Sequence, residues 1–163
     1  MSNREPYTVP SVYYDSITLI ERLHRQFLDV LKVELERAGI FDINNVQSMI
    51  LFNIGTDELT VGELTMRGFY LGSNVSYNVK KMVENGYLLQ ERSIHDKRSV
   101  RVRLSDKGRR LNDGMSRLYQ RHESSLGAAG LPDERLDAMN KTLHDLEAFW
   151  LEQMGAGGLS LMS

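Results

Sequence analysis

The apolar residues in the first part of the chain follow the period of an α-helix. From residue 11 to about residue 38 they recur at steps of three and four. The apolar face is wide enough to pack on two sides, for example against its own domain and a second subunit. A second apolar stretch follows a capping position at Asn44 or Asn45, with Gln47 placed for a capping box with Asn44, and ends near Ile54. The pattern predicts a long amphipathic helix and then a short helix buried in the core.

Capping residues predict two more short helices in the middle of the chain. Thr60 and Glu63 have the spacing of a capping box at the start of a third helix. Ser73 is the predicted N-cap of a fourth helix, which ends at Asn85 before a left-handed Gly86. Two short helices joined by a tight turn are typical of a helix-turn-helix.

Alternation of apolar and charged residues then predicts a β-hairpin. One strand covers residues 87–93 and the other covers residues 99–104, in which Arg101 and Arg103 alternate with apolar residues. A charged loop over residues 94–98 joins the two strands. A helix-turn-helix followed by such a wing is an arrangement that binds duplex DNA, so this region is the candidate functional site.

Two amphipathic helices complete the predicted elements. One starts at Ser105 and has His122 on its apolar stripe as an interior histidine, and the other carries Pro132 in its first turn. The pattern predicts a mainly α fold with a small β-hairpin wing, that is, a winged helix-turn-helix plus a helical dimerisation region. The predicted divisions are an extended N-terminal arm (1–10), a helical dimerisation region (11–38 and 105–154), the winged helix-turn-helix DNA-binding domain (39–104) and a flexible tail (155–163).

Composition narrows the class of protein. The chain has 163 residues, 41% of them apolar and none of them cysteine, which excludes disulfides and thiolate zinc sites. Its 4 histidines are too scattered for a zinc motif, and it has no phosphate-binding glycine loop or nucleophile elbow. It also lacks the pattern of a signal peptide and any apolar run that could span a bilayer. We therefore expect a cytoplasmic protein that is not an enzyme, with no membrane partner, cofactor or metal.

Charge is distributed unevenly along the chain. The net charge is −2, yet residues 67–110 carry 11 basic and 4 acidic residues, a net of +7, and the remainder carries −9. A basic segment in an otherwise acidic chain indicates a polyanionic partner or, alternatively, an ordinary solvated surface. Because the basic segment coincides with the predicted winged helix-turn-helix, we favour double-stranded DNA as the partner.

The predicted outer face of the fourth helix carries hydrogen-bonding side chains. Asn74 and Asn78 lie one turn apart, and an asparagine amide can pair with both major-groove groups of adenine. The alternative is that Asn74 is a local capping residue and that the lysines are merely solvated. The candidate DNA-contacting residues of this helix are Ser73, Asn74, Ser76, Tyr77, Asn78, Lys80 and Lys81.

The wing supplies arginines. Arg98 stands at the hairpin tip, a position suited to insertion into a narrow minor groove with high negative potential. Asp96 is close enough to pair with Arg98 or Arg101 and orient the guanidinium, and the alternative is an exposed ion pair worth about 0–1 kcal/mol. We expect Lys107 to contact a phosphate. The candidate wing residues are Asp96, Lys97, Arg98, Arg101 and Arg103.

Two motifs stand out within the predicted winged helix. One is Asp-x-Arg-x-x-Arg at residues 96–101, running into Val-Arg-Leu-Ser-Asp-Lys-Gly at residues 102–108, and the other is the fourth helix followed by Tyr87-Leu-Leu. With the order of elements over residues 13–154, they resemble the MarR-type winged-helix transcriptional regulators, in which the aspartate braces the wing arginine. Tyr77 departs from that pattern, because many relatives carry Arg or another long polar residue there and a phenol cannot bind guanine in bidentate fashion.

The resemblance also implies a homodimer and an effector. In that family the first, fifth and sixth helices pack against their twins, which predicts a palindromic operator and a repressor released by a small aromatic or anionic effector. The apolar stripes of these helices agree with a homodimer, and the alternative is that they fill a core within one chain. The effector site is unknown, and the candidate interface residues are Tyr13, Ile17, Leu143, Leu146, Phe149 and Trp150.

A second function stays open at this point. The alternative is a winged-helix protein-interaction adaptor that no longer binds DNA. Two features favour it: Tyr77 replaces a long cation on the fourth helix, and the chain outside the basic segment is acidic.

Overall fold

The computed structural model describes residues 11–68, 72–95 and 99–155. Over these ranges the chain forms six helices and three short strands, which confirms the mainly α fold with a small β wing. The predicted arm, most of the predicted tail and the wing tip lie outside the described residues. In chain order the elements are α1 Val12–Arg37, α2 Asn45–Ile54, β1 Leu59–Thr60, α3 Val61–Gly68, α4 Gly72–Glu84, β2 Leu88–Arg92, β3 Val100–Leu104, α5 Asp106–Leu126 and α6 Asp133–Gly155.

Local capping contacts start the first three helices. The hydroxyl of Ser11 accepts a hydrogen bond of 3.0 Å from a backbone N–H in the first turn of α1. Asn44 and Gln47 form the predicted capping box of α2, with hydrogen bonds of 2.8 and 3.1 Å. Thr60 and Glu63 form that of α3 in the same reciprocal way, at 3.1 and 2.7 Å. Both capping boxes are therefore confirmed.

Three predictions from the sequence need correction. α4 begins at Gly72, so Ser73 lies inside the helix rather than at its cap, a difference of one residue of the size that is common at helix ends. α6 begins at Asp133, which leaves Pro132 just before its first turn. His122 is exposed rather than interior, because burial along the α5 stripe ends one turn earlier.

The small sheet joins the helix-turn-helix to the wing. β3 lies between β1 and β2 and is antiparallel to both strands. Leu88 pairs with Leu104, and Leu59 pairs with Val102. The sequence does not predict β1, because two residues show no alternation and the partner strand lies far along the chain.

Apolar residues from the helix-turn-helix and the sheet meet in one core. Leu64 of α3, Val75 of α4 and Val102 of β3 are fully buried in it. The chain divides into two compact units, Met1–Met115 and Ser116–Ser163, and this core lies in the first unit. Since burial of apolar surface is the main stabilising contribution to folding, the core fixes α4 and the sheet in one unit.

Candidate DNA-binding surface

The helix α4 has one apolar face and one polar face. Val75, Val79 and Met82 are 0%, 5% and 1% exposed, and they anchor one face in the core. The opposite face is solvated, and Tyr77 on it is 62% exposed. The Ser73 side chain lies outside the described residues, whereas four predicted contact residues are exposed: Asn74, Ser76, Tyr77 and Lys80.

Two other predicted contact residues of α4, Asn78 and Lys81, form hydrogen bonds to other residues of the chain. The Asn78 amide accepts a hydrogen bond of 3.2 Å from the Gln47 amide and donates one of 2.8 Å to the Asn74 carbonyl. Lys81 pairs with Glu84 at 3.1 Å, and this hydrogen bond raises the pKa of the lysine ammonium. Asn78 therefore connects α4 to α2, a role that differs from pairing with adenine.

The strand β3 carries the described candidate arginines of the wing. Arg101 is exposed, and Arg103 pairs with Glu91 of β2 at 3.2 Å. The pKa of the Glu63 carboxyl on α3 is lowered, mainly by the hydrogen bond from the Thr60 N–H and further by the positive charge of Arg101. Arg101 pairs in register with Thr60, so this basic residue of the wing lies near the start of α3. The wing-tip residues Asp96, Lys97 and Arg98 lie outside the described residues, and their roles stay predictions.

A charged cluster lies at the C-terminal end of α4. The Asp42 carboxylate accepts hydrogen bonds from the Tyr87 hydroxyl and the Lys107 ammonium, both at 2.5 Å. The ammonium also donates to the Asn85 carbonyl at 2.9 Å and lies 4.2 Å from the centre of the Tyr87 ring. The hydrogen bonds from Lys107 and Tyr87 lower the pKa of Asp42, and burial is the main reason that the pKa of the Tyr87 hydroxyl is raised.

The cluster contains residues that the sequence does not reveal. The sequence predicts a phosphate contact for Lys107, which stays a prediction, and the structure adds a bond from its ammonium to Asp42, 65 positions away. Gln47 and Asn78 are likewise 31 positions apart. No local spacing connects such residues, so neither link could be predicted from one sequence.

The candidate interface residues of α1 and α6 are exposed or half-buried. On α6, in the second unit, none of the residues from Asp133 to Gly155 is buried. Leu143 and Phe149 are 40% and 47% exposed, so this stripe does not form a buried core within the single chain. Leu146 and Trp150 of the same stripe are half-buried. On α1, in the first unit, Tyr13 is 49% exposed and Ile17 is half-buried.

Comparison with known proteins agrees with this arrangement. The profile of the MarR family matches residues 41–99, which include α2, α3, α4 and β2. The exopolysaccharide II synthesis transcriptional activator ExpG of Rhizobium meliloti (strain 1021) is 40% identical over 138 residues, which cover 85% of this chain and 71% of ExpG. This chain belongs to the MarR family.

Two solved structures share the fold of this MarR-family chain. Streptococcus pneumoniae FabT in complex with DNA has a TM-score of 0.70 and 20% identity, covering 86% of this chain and 98% of FabT. A MarR protein from Peptoclostridium difficile DA00132 has a TM-score of 0.75 and 15% identity, covering 94% of this chain and 96% of that protein. At these identities the likeness shows the winged-helix fold alone.

As a member of the MarR family, the chain is a transcriptional regulator. In the part of the chain that the structure describes, no group of three or more histidine, cysteine or carboxylate side chains is arranged to hold a metal ion. Across the same residues, no helix combines the length and apolar character that crossing a bilayer requires.

Proposed function

We propose that this MarR-family regulator binds double-stranded DNA in a sequence-specific manner, with α4 in the major groove and the wing along the minor groove. One observation carries the proposal: α4 buries Val75, Val79 and Met82 and turns an exposed polar face to solvent. A helix of this kind fits the width of the major groove. FabT, which shares the fold, has been solved in complex with DNA, and this supports DNA as the partner.

The proposed contacts divide into base contacts and phosphate contacts. Asn74, in the first turn of α4, and Tyr77, about one turn further along, are exposed to solvent and are assigned to base edges. Ser73, Ser76, Lys80 and Lys81 surround them and are assigned to phosphates or neighbouring bases. Residues 96–98 at the wing tip, with Arg98 foremost, are assigned to the minor groove, and Arg101 and Arg103 are assigned to phosphates. Asn78 is assigned to positioning α4, since its amide is bonded within the chain.

The proposed active form is a homodimer on a palindromic operator. The exposed apolar side chains of α6 and the N-terminal half of α1 support such an interface, because large apolar side chains left in water favour association. A two-fold dimer would place its two recognition helices about 34 Å apart, one turn of DNA. Residues 39–104 are the proposed DNA-binding domain, and the helices before and after them are the proposed dimerisation region.

The proposed regulation has two parts. A small aromatic or anionic effector, as in relatives of this type, releases the DNA. The resemblance predicts a repressor, whereas ExpG, at 40% identity, is a transcriptional activator. We propose that the position of the operator decides the sign of regulation, because a protein bound over a promoter blocks polymerase and one bound upstream can recruit it.

Selection of duplexes from a random DNA pool tests the proposal. We expect the full-length protein to enrich one sequence with two-fold symmetry, hereafter the selected duplex, and to bind it more tightly than a duplex of the same bases in shuffled order. Binding should weaken steeply with salt, because basic side chains displace counterions from phosphates. Equal affinity for both duplexes would reject the proposal and favour the adaptor. Repeating the selection with aromatic acids such as salicylate tests the effector, and a reporter with the operator over or upstream of the promoter tests the sign.

A further inference from the structure

Residues 42–47, which lead into α2 and include its first turn, are hydrogen-bonded to α4 near the middle of that helix. The Gln47 side chain is 7% exposed, and its amide nitrogen donates to Asn78 at 3.2 Å. Its amide oxygen accepts from the Asn44 N–H at 3.1 Å at the same time. Both ends of a buried amide are therefore satisfied, and a substitution that frees either partner leaves a polar group without its bond.

The same segment holds the C-terminal end of α4 through Asp42. Its backbone carbonyl accepts from the Asn85 side chain at 2.8 Å, one residue past the last residue of α4. Its carboxylate accepts hydrogen bonds from Tyr87, which directly precedes β2, and from Lys107, in the first turn of α5. Asp42 thus connects the end of α4 with the wing and with α5. Hereafter we name Asp42, Asn44, Asn45 and Gln47 the loop bracket.

The loop bracket is also tied to α1. The Asn45 side chain donates to the Leu28 carbonyl at 2.9 Å, across 17 positions of sequence. Hydrogen bonds therefore link the bracket to α1 and, at two points, to α4 and its C-terminal end. These two points, Asn78 within α4 and Asn85 one residue past it, lie roughly 10 Å apart along the helix axis.

We propose that Asp42 and Gln47 are positioning residues that set the rotation and tilt of α4, so that sequence preference depends on them although neither contacts DNA. The proposal rests on the proposed function. Apolar contacts through Val75, Val79 and Met82 hold α4 in the core but have no directional preference. Hydrogen bonds are directional, and bonds at two separated points fix a helix against rolling on its apolar face.

Two substitutions in the full-length protein, Asp42→Asn and Gln47→Met, test the proposal. Asp42→Asn keeps the backbone carbonyl that accepts from Asn85 but weakens the side-chain bonds to Tyr87 and Lys107 that hold this carbonyl in place. The readout is the ratio of affinities for the selected duplex and the shuffled duplex, together with the melting temperature. We expect the ratio to fall about fivefold or more for each variant, because misplaced base contacts cost specific affinity only. Asp42→Asn removes a negative charge, which by itself favours binding to a polyanion. A lower ratio with undiminished affinity for the shuffled duplex therefore cannot arise from charge.

Asp137→Asn is the matched control. It makes the same substitution in an exposed pair with Lys141 on α6, 2.8 Å apart, away from the apolar stripe of that helix. The affinity ratio of this control should equal that of the wild type. Asp42→Glu keeps a carboxylate, so its ratio should lie between those of Asp42→Asn and the wild type. If Asp42→Asn or Gln47→Met does not fold, Tyr87→Phe removes the hydroxyl that donates to Asp42 and carries the same expectation.

The outcomes separate this proposal from the proposed function. If the wild type does not distinguish the two duplexes, the proposed DNA function fails. If the wild type distinguishes them and the bracket variants melt at lower temperature with an unchanged ratio, the bracket has only a structural role and the positioning proposal is overturned. A reduced ratio in the variants alone supports it.

Discussion

Tyr77 places a phenol on the outer face of α4, where it is 62% exposed. A phenol supplies one hydroxyl and an aromatic ring, so its preferred base differs from that of an arginine, which binds guanine in bidentate fashion. A base preference that depends on an arginine at this position therefore does not apply to this chain.

We predict that Tyr77→Ala lowers affinity for the selected duplex about 5- to 150-fold, the cost of losing a base contact, with little effect on the shuffled duplex. Lys80→Ala on the same face is the contrast, because loss of a phosphate contact should weaken both duplexes alike. Fluorescence anisotropy titrations measure the four affinities. An unchanged ratio for Tyr77→Ala would remove Tyr77 from the base-contacting set.

Gly108, in the first turn of α5, lies against the backbone of the residue that starts the wing. A Cβ at this position would overlap with the Tyr87 carbonyl oxygen, so the backbone would have to move. We predict that Gly108→Ala destabilises the fold by more than about 1 kcal/mol, which lowers the melting temperature by several degrees. Gly127→Ala is the control, because its Cβ would meet no atom within 4 Å. Equal melting temperatures for the two variants would contradict the close approach.

The strand β3 carries the positively charged side chains that are proposed to contact phosphates. Arg101 is exposed on it, beside the N-terminal end of α3. We predict that Arg101→Ala weakens binding to the selected and shuffled duplexes by similar factors and lowers the slope of log affinity against log salt by about 1. Lys141→Ala on α6 removes the same charge from an exposed pair with Asp137 and should leave the slope unchanged. A slope unaltered by Arg101→Ala would place this arginine away from the DNA.

The elements differ in how far one sequence predicts them. The capping boxes at Asn44 and Thr60 are local, so spacing alone locates the starts of α2 and α3. The two faces of α4 follow from helical periodicity in the same way. β1 and the bonds from Asp42 and Gln47 to α4 depend on residues far apart in the chain, and a single sequence contains no pattern that pairs them. Local chemistry therefore predicts the parts of the candidate site, whereas long-range hydrogen bonds decide how they are held.

The basic segment and the exposed apolar stripe of this chain serve two different parts of the proposed function, DNA binding and dimerisation. The basic segment, with a net charge of +7, coincides with α4 and the wing, and the rest of the chain is acidic. α6 buries none of its residues, yet it carries Leu143 and Phe149 with 40% and 47% of their surface exposed. A homodimer would cover such a stripe and leave the two basic segments to face one duplex.

We therefore predict that Leu143→Glu shifts the protein from dimer to monomer, because a charge placed in an apolar interface loses its hydration without gaining a partner. Binding to the palindromic duplex should then fall to the affinity of a single half-site, since each recognition helix would bind alone. Light scattering after gel filtration measures the mass, and titration with full and half operators measures the binding. Ala148→Glu, on the opposite side of α6, adds the same charge and should leave both unchanged. A Leu143→Glu protein that remains a dimer with full operator affinity would exclude this stripe from the interface.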